Sequence, residues 1–190
     1  MSITNILITG VGGQGLVLAT KLLAEAAFLE GYDVKTSDVI GLSQRGGKVF
    51  GSVRFGEKVY SPLIPLGETD ILLAMEKLEG LRWIKELKNN AKVILNDYSI
   101  FPNRTLIEKE EYPQNVDSII KTTELQLFTI DAVKASKELG SVKVMNVLLL
   151  GKLSTMLPFK QETWQSVIEK NVPLKTLELN KKAFEAGKLL

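Results

Sequence analysis

Two glycine-rich loops contain the residues of this chain that are best suited to chemistry, and the first lies near the N-terminus. It fits the pattern G-x-G-x-x-G, and its candidate cofactor-binding residues are Gly10, Gly12, Gly13, Gln14 and Gly15. Glycines accept positive φ and let a ligand approach the backbone, while free N–H groups at the start of a following helix attract anions. The loop therefore predicts a site for an anionic cofactor. The alternative is that the glycines only let a helix pack tightly on a strand.

The second glycine-rich loop lies further along the chain, and it carries a cation. Its candidate cofactor-binding residues are Ser43, Gln44, Arg45, Gly46 and Gly47. A loop of this composition can direct a guanidinium group and free backbone donors toward an anionic or carbonyl group. The simpler interpretation is a connection between two elements in which Arg45 is solvated.

The chain lacks the side chains on which much enzyme chemistry depends, since it contains no cysteine and no histidine. It can therefore hold neither a disulfide nor a thiolate-ligated iron–sulfur cluster, and it lacks the commonest metal ligand and general base. We assign it no catalytic residue and no metal ligand. Redox or acid–base chemistry would have to rest on a cofactor, on carboxylates or lysines, or on another chain, and we favour another chain.

Composition narrows the class of protein further. The 190 residues are 45% hydrophobic, which suits one substantial core, so we predict a single domain over residues 1–190. A formal net charge of +2, with no basic stripe, argues against a nucleic-acid-binding protein. No stretch is apolar enough for a transmembrane helix, and the first residues lack the basic region of a signal peptide. We expect a cytoplasmic protein that binds neither nucleic acid nor membrane.

The first glycine loop is expected to join a strand to a helix. Apolar residues at 6–8 predict a buried strand, and apolar positions at helical spacing over residues 16–26 predict the helix. Residues 32–36 predict a second strand, which completes a βαβ unit. In a dinucleotide-binding fold, an acidic residue about 20 positions past the glycines binds the ribose hydroxyls, and Asp38 lies near that place. An NAD(P) site is therefore a second hypothesis.

A β-hairpin then interrupts the α/β order. Residues 49–55 alternate in polarity, Gly56-Glu57 supplies a turn, and residues 59–60 are predicted to return as the second strand. We therefore predict an α/β fold with three α/β/α layers and a mixed, mainly parallel sheet that carries an antiparallel hairpin. The further predicted strands cover residues 71–75, 93–96 and 127–130, and the further helices cover residues 78–87, 132–139, 144–157, 161–170 and 174–190.

Several single features stay open at the level of sequence. Residues 97–117 contain prolines and a run of charge, which predicts an irregular excursion that is either a lid, a partner-binding loop or a plain insertion. Gln14 either binds a ligand or caps its own turn. Asn146 is interpreted as a structural polar group at the start of a buried helix. Trp83 and Trp164 are interpreted as core or interface anchors.

A series of motifs recurs in order over most of the chain. The motifs are residues 10–15, residues 43–47, Arg54 between Val53 and Phe55, Tyr60-Ser61-Pro62, Asp70-Ile71-Leu72-Leu73-Ala74, and residues 146–151. Together they resemble the γ subunit or γ domain of the 2-oxoacid:ferredoxin oxidoreductases. Within that family, a free-standing chain of this length is most similar to the small subunit of the indolepyruvate-type enzymes.

The resemblance implies a coenzyme-A-dependent oxidative decarboxylation of a 2-oxo acid, with electrons passed to ferredoxin. It implies that thiamine diphosphate, Mg²⁺ and iron–sulfur clusters belong to a large partner subunit. The γ part is associated with coenzyme A binding and closes the thiamine site, so both glycine loops would serve coenzyme A or the mouth of that site. The isolated chain is expected to be inactive, contact with ferredoxin to be indirect, and self-association to be open.

Two other functions remain as alternatives. The first is a stand-alone NAD(P)-dependent dehydrogenase that uses residues 10–15 and Asp38. It would lack histidine, and Tyr60 and Tyr98 have no recognisable catalytic spacing. The second is a purely structural subunit whose glycine loops contact only protein.

Overall fold

The computed structural model describes residues 3–39, 48–100, 112–113 and 115–190, which form a six-stranded sheet flanked by helices on both faces. Across the sheet the strands run in the order β2-β3-β1-β4-β5-β6. The neighbours β1, β4, β5 and β6 are parallel, whereas β3 is antiparallel to both β1 and β2. This confirms the predicted mixed, mainly parallel sheet. The strands are β1 (Thr4–Val11), β2 (Asp33–Val39), β3 (Lys48–Gly56), β4 (Thr69–Ala74), β5 (Leu87–Asn96) and β6 (Gln126–Ile130).

The helices form two layers because successive side chains of each strand point to opposite faces of the sheet. Ile6 and Ile8 of β1 belong to the larger core, with α1, α4, α5, α6 and α7, whereas Leu7 belongs to a smaller core with α2 and α3. This confirms the predicted α/β/α layering. The helices are α1 (Leu16–Leu29), α2 (Lys77–Trp83), α3 (Val116–Lys121), α4 (Ala132–Glu138), α5 (Met145–Ser154), α6 (Gln161–Asn171) and α7 (Leu177–Leu189).

The predicted return strand of the hairpin at residues 59–60 is wrong. Strand β3 is instead antiparallel to β2 on one side and to β1 on the other, and residues 40–47, which connect β2 to β3, lie outside the described residues. Val59 cannot join a ladder because its N–H donates to the Asp33 carboxylate at 2.9 Å. Arg54 then holds the chain past Val59 by donating to the carbonyl oxygens of Ser61 and Leu63. Side-chain hydrogen bonds thus replace the expected second strand.

The same arrangement corrects the predicted βαβ unit. Strand β3 lies between β1 and β2, so the two parallel strands joined by α1 are not neighbours. In a dinucleotide-binding unit these two strands lie side by side, and the acidic residue at the end of the second reaches the ribose. Here Asp38 lies two strands from β1, and its register partner is Gly51. The strand order therefore speaks against the NAD(P) hypothesis.

Other differences concern where elements end. The predicted helix over residues 78–87 is too long, since α2 stops at Trp83, a 3-10 turn covers Ile84–Glu86, and β5 already begins at Leu87. Helix α3 was not predicted; it begins at the end of the segment interpreted as an irregular excursion and extends past it. Helix α4 is capped by Asp131, whose carboxylate accepts from the Lys134 N–H at 2.9 Å. No helix in the described part of the chain is long and apolar enough to cross a membrane.

Candidate functional site

A cleft of about 470 Å³ opens at the carboxyl ends of the parallel strands. Its lining comes from the glycine turn after β1, the segment after β5, the start of α4 and the turn before α5. The carboxyl edge of a parallel sheet is where α/β proteins generally bind ligands. The lining residues are Gly12, Gly13, Gln14, Gly15, Tyr98, Ile100, Val133, Val142, Lys143 and Met145. The structure thus brings four of the predicted cofactor-binding residues together on one cleft.

The turn that forms one side of the cleft requires glycine at two positions. Gly13 and Gly15 have φ of 94° and 76°, a region that L-residues with a side chain rarely adopt. Gly15 is also the N-terminal cap of α1, where no side chain caps the helix and no acidic residue lies in the first turn. The partial positive charge of the helix start is therefore uncompensated by the helix itself, and it suits an anion in the cleft.

Gln14 is held inside its own turn by both ends of its side-chain amide. Its Oε1 accepts from the Val11 N–H at 2.8 Å, and its Nε2 donates to the Met75 carbonyl at 2.9 Å. The side chain therefore ties the end of β1 to the end of β4. This geometry favours the structural interpretation of Gln14, whose contribution to the cleft is to fix the path of the backbone around it.

Gly10 lies beneath the turn and does not line the cleft. A Cβ at this position would lie 2.6 Å from Gln14 Oε1 and 3.2 Å from the Met75 Cβ. The need for glycine at residue 10 is thus explained by the room that the Gln14 side chain occupies. A direct contact of Gly10 with a cofactor stays a prediction.

Asn146 supports the turn from α5. Its Nδ2 donates to the Gly15 carbonyl at 3.0 Å, and its Oδ1 accepts from the Val147 N–H at 2.9 Å. The interpretation of Asn146 as a structural polar group fits these two contacts. A second buried amide, Asn96 at the end of β5, donates to the Met75 carbonyl at 3.0 Å and accepts from the Ala132 N–H at 3.0 Å. The side-chain amides of Asn96 and Asn146 therefore connect the elements that surround the cleft.

Glu76, which the sequence reasoning missed, organises the wall opposite the glycine turn. It is 1% exposed and caps α2 by accepting from the Glu79 N–H at 2.8 Å. Its other oxygen accepts from the Ile100 N–H at 3.1 Å and from the Tyr112 hydroxyl. Burial and the adjoining carboxylate raise the pKa of the Tyr112 phenol. Glu76 thereby fixes the segment that carries Tyr98 and Ile100 into the cleft. The sequence feature that indicates this role is an acidic residue directly after a buried parallel strand.

The remaining lining gives the cleft two kinds of surface. Val133, Val142 and Met145 supply apolar area, while Lys143 supplies an ammonium group at the rim. Within the described ranges no carboxylate lies within ion-pair distance of Lys143. An anionic group bound at the start of α1 would therefore have a cation near it, and a weakly polar chain attached to that group would have apolar contacts.

Two predicted features stand apart from this cleft. The loop with Ser43, Gln44, Arg45, Gly46 and Gly47 lies outside the described residues. Asp38 does not line the cleft. Partial burial raises the pKa of its carboxyl, against the opposing effect of a hydrogen bond from Thr20. Residues 3–39, 48–100, 112–113 and 115–190 contain no group of three acidic side chains placed to hold a metal ion.

Comparison with known proteins identifies the family. Residues 5–189 match the family described as pyruvate ferredoxin/flavodoxin oxidoreductase, and the chain belongs to it. It is a subunit of the 2-oxoacid:ferredoxin oxidoreductase class, as its relatives are. The indolepyruvate oxidoreductase subunit IorB of Thermococcus kodakarensis is 40% identical over 96% of this chain and 93% of its own length. The pyruvate/ketoisovalerate oxidoreductases common subunit gamma of Pyrococcus abyssi is 30% identical over 76% of this chain and 73% of its own.

Solved structures share the fold. The gamma subunit of a keto/oxoacid ferredoxin oxidoreductase from Geobacter sulfurreducens superimposes with a TM-score of 0.73 at 24% identity, covering 97% of this chain and 95% of that one. A 2-oxoglutarate:ferredoxin oxidoreductase from Magnetococcus marinus, solved with 2-oxoglutarate, coenzyme A and succinyl-CoA bound, gives 0.78 at 19% identity. All of this chain aligns with 31% of that one, so the same fold there is part of a longer polypeptide.

Proposed function

We propose that the chain is the small subunit of an indolepyruvate-type 2-oxoacid:ferredoxin oxidoreductase and that its cleft binds part of coenzyme A. Indolepyruvate or another 2-oxo acid would be decarboxylated oxidatively on a large partner subunit. The small subunit would hold coenzyme A at the mouth of that subunit's active site. The observation that carries the proposal is the convergence of the glycine turn, Lys143 and an apolar wall on one cleft.

The chemistry of coenzyme A matches these surfaces. The coenzyme joins phosphate groups to a long and weakly polar pantetheine arm, and it supplies the thiol that accepts the acyl group. The N–H groups at the start of α1 and the Lys143 ammonium group suit a phosphate, because both stabilise negative charge. Ile100, Val142 and Met145 suit the arm, and the cleft volume of about 470 Å³ is in the range of ligand sites.

The iron–sulfur clusters of the reaction do not fit this chain. The full sequence has neither the cysteines nor the histidines that ligate iron–sulfur clusters. We therefore place thiamine diphosphate, Mg²⁺ and the clusters on the large partner subunit, which would also pass electrons to ferredoxin. Ser43, Gln44, Arg45, Gly46 and Gly47 remain candidates for a second contact with coenzyme A or with that subunit. The proposal places the complex in the cytoplasm.

The test uses the purified complex of this chain with its large subunit. Lys143→Ala removes the cation at the cleft, and Lys137→Ala is the matched control, because Lys137 is an exposed lysine outside the cleft lining. Coenzyme A affinity is measured by calorimetry, and assembly is measured separately by size-exclusion chromatography. We expect Lys143→Ala to weaken binding about tenfold, which corresponds to the loss of one charge-assisted contact. Lys137→Ala should leave both quantities unchanged.

The outcomes separate the alternatives. Weaker coenzyme A binding with normal assembly supports the cofactor role. Unchanged affinity in Lys143→Ala contradicts it, and lost assembly with unchanged affinity points to a structural subunit. Binding of NADH by the isolated chain, with no large partner in the host, would restore the dehydrogenase hypothesis.

A further inference from the structure

An apolar protrusion lies on the sheet face that carries α2. The segment at residues 57–68 connects β3 to β4, and Leu63 and Ile64 line a hollow on that face together with residues of β1, β2 and β3. Tyr60, Leu63 and Leu66 are 87%, 69% and 72% exposed. Large apolar side chains that cluster on one exposed segment indicate an interaction surface more strongly than scattered ones do.

The protrusion is held in place by polar contacts from the sheet. Arg54 donates from Nη1 to the carbonyl oxygens of Ser61 and Leu63, at 2.9 and 2.6 Å, and from Nε to Asn5 Oδ1 at 2.8 Å. Asn5 in turn donates to the Glu68 carbonyl at 2.8 Å. The middle of the segment is therefore fixed to β3, and its C-terminal end is fixed to β1. A surface held in this way presents its apolar side chains with little entropy left to lose on binding.

A hollow of about 220 Å³ adjoins the protrusion. Leu63 and Ile64 form one side of it, and Phe50 and Trp83, whose rings are 4.5 Å apart, form the other. Two polar atoms at the hollow are buried without a hydrogen-bond partner among the described residues, namely Trp83 Nε1 and the hydroxyl of Thr69. Thr69 is only 1% exposed. Buried polar atoms normally find partners, so the hollow is suited to a group that brings a hydrogen-bond acceptor.

We propose that residues 60–66 and the adjoining hollow are the surface on which the large catalytic subunit docks. This inference rests on the proposed function, since it needs a large subunit to exist. The docked subunit would cover Tyr60, Leu63 and Leu66 and fill the hollow beside Trp83. An apolar centre with polar groups around it is the usual composition of such an interface.

The composition of the chain and its relatives both indicate a larger neighbouring subunit. It has no cysteine or histidine, so a chain that carries the clusters must be held against it. In the Magnetococcus marinus protein the same fold is joined to about twice its own length of further polypeptide, since it accounts for 31% of that chain. A larger body beside this fold is therefore the expected neighbour.

The test compares two double variants in the complex. Leu63→Ser with Leu66→Ser alters the protrusion, while Phe28→Ser with Leu174→Ser is the control, because Phe28 and Leu174 are 70% and 87% exposed. Phe28 is on α1, which packs on the other face of the sheet. We expect the first pair to weaken assembly with the large subunit about tenfold or more, as loss of central apolar contacts does. The control pair should assemble normally, and thermal melting of each isolated variant should match the wild type.

A photo-crosslinking residue at position 63 identifies the neighbour directly, with position 174 as its control. Crosslinking from position 63 to the thiamine- and cluster-containing subunit supports the inference. Crosslinking to a second copy of this chain, or unimpaired assembly of the Leu63/Leu66 variant, overturns it while leaving the proposed function intact. If the wild-type chain forms no complex with such a subunit, the proposed function fails, and this inference fails with it.

Discussion

The side-chain amide of Asn146 donates a hydrogen bond of 3.0 Å to the carbonyl oxygen of Gly15, across 131 residues of sequence. A Cβ on Gly15 would lie 2.4 Å from that same Nδ2 atom. The close approach and the positive φ thus both require glycine at the start of α1. Through this contact, the buried helix α5 determines where the glycine turn lies and where the N–H groups of α1 point.

Gly15→Ala should therefore be much more harmful than Gly13→Ala. Both residues have positive φ, but a Cβ on Gly13 meets nothing within 4 Å. Strain alone should cost Gly13→Ala about 1–2 kcal/mol in the free energy of unfolding. Gly15→Ala must also displace Asn146, and we expect a loss of about 2–4 kcal/mol, measured by urea denaturation. The effect of Gly15→Ala should shrink in an Asn146→Ala background. Equal costs for the two glycines would show that the contact with Asn146 is not what excludes a side chain.

The elements around this turn could be predicted because their signals are local. The apolar run of β1 and the helical spacing of α1 follow directly from neighbouring residues, and so does the glycine turn between them. The return strand was wrong for a reason that no local pattern contains. The N–H of Val59 is taken by Asp33, which lies 26 residues away in sequence.

The candidate site was only partly predictable, because several of its residues come together through contacts between distant parts of the sequence. The glycines of the cleft belong to one short motif, but Lys143 and Tyr98 reach it only because the end of β5 and the start of α5 lie at the same edge of the sheet as the glycine turn. Glu76 is an ordinary acidic residue in the sequence. Its structural role depends on hydrogen bonds from Ile100 and Tyr112, which lie 24 and 36 residues further along the chain.

Glu76→Gln should loosen the wall of the cleft. The partners of Glu76, namely the Glu79 and Ile100 N–H groups and the Tyr112 hydroxyl, all donate to it. The NH₂ group of glutamine would face a donor, and Tyr112 already accepts from the Leu78 N–H at 3.0 Å. We expect a loss of about 2–4 kcal/mol in the free energy of unfolding, since a charged acceptor is removed and a donor is buried unpaired.

Tyr112→Phe is the matched comparison for Glu76→Gln, because it removes only one of the donors. It should cost about 1–2 kcal/mol, and both variants should be measured by urea denaturation of the same preparation. If the proposed cleft is the coenzyme A site, both should also weaken coenzyme A binding in the complex. Wild-type stability of Glu76→Gln would refute the inference that the carboxylate fixes the wall of the cleft through its hydrogen bonds.

Stability should depend on pH through Glu30, which links the end of α1 to α6. Its carboxylate accepts from the Thr163 hydroxyl at 2.5 Å and from the Lys160 N–H at 2.8 Å, and these bonds hold the pKa of Glu30 below its ordinary value. A depressed pKa stabilises the folded state above the unfolded pKa, and that contribution disappears as pH falls through the folded pKa. Glu30→Gln should therefore be less stable than wild type at pH 7, and the difference should shrink below about pH 4.

The matched control for Glu30 is Glu124→Gln, since Glu124 is exposed and has no hydrogen bond or ion pair to other residues that the structure describes. Its melting temperature should follow that of the wild type from pH 3 to pH 7. A Glu30→Gln difference that stays constant over this range would mean that its cause is packing and not the charge of the carboxylate.

Gly187→Ala should destabilise the protein even though the same change in an ordinary helix stabilises it by about 1 kcal/mol. A Cβ at residue 187 would lie 1.8 Å from the Leu148 carbonyl oxygen, and a backbone atom cannot turn aside as a side chain can. Helices α5 and α7 would have to separate, at an expected cost of about 3 kcal/mol or more in the free energy of unfolding. Lys182→Ala, an exposed change on the same helix, should be nearly neutral.

The effects of Gly187→Ala and Gly15→Ala on the free energy of unfolding should not be additive. Leu148 lies two residues after Asn146, so separation of α5 from α7 should also displace the Asn146 contact with Gly15. Additive losses would mean that the helix crossing and the glycine turn are independent.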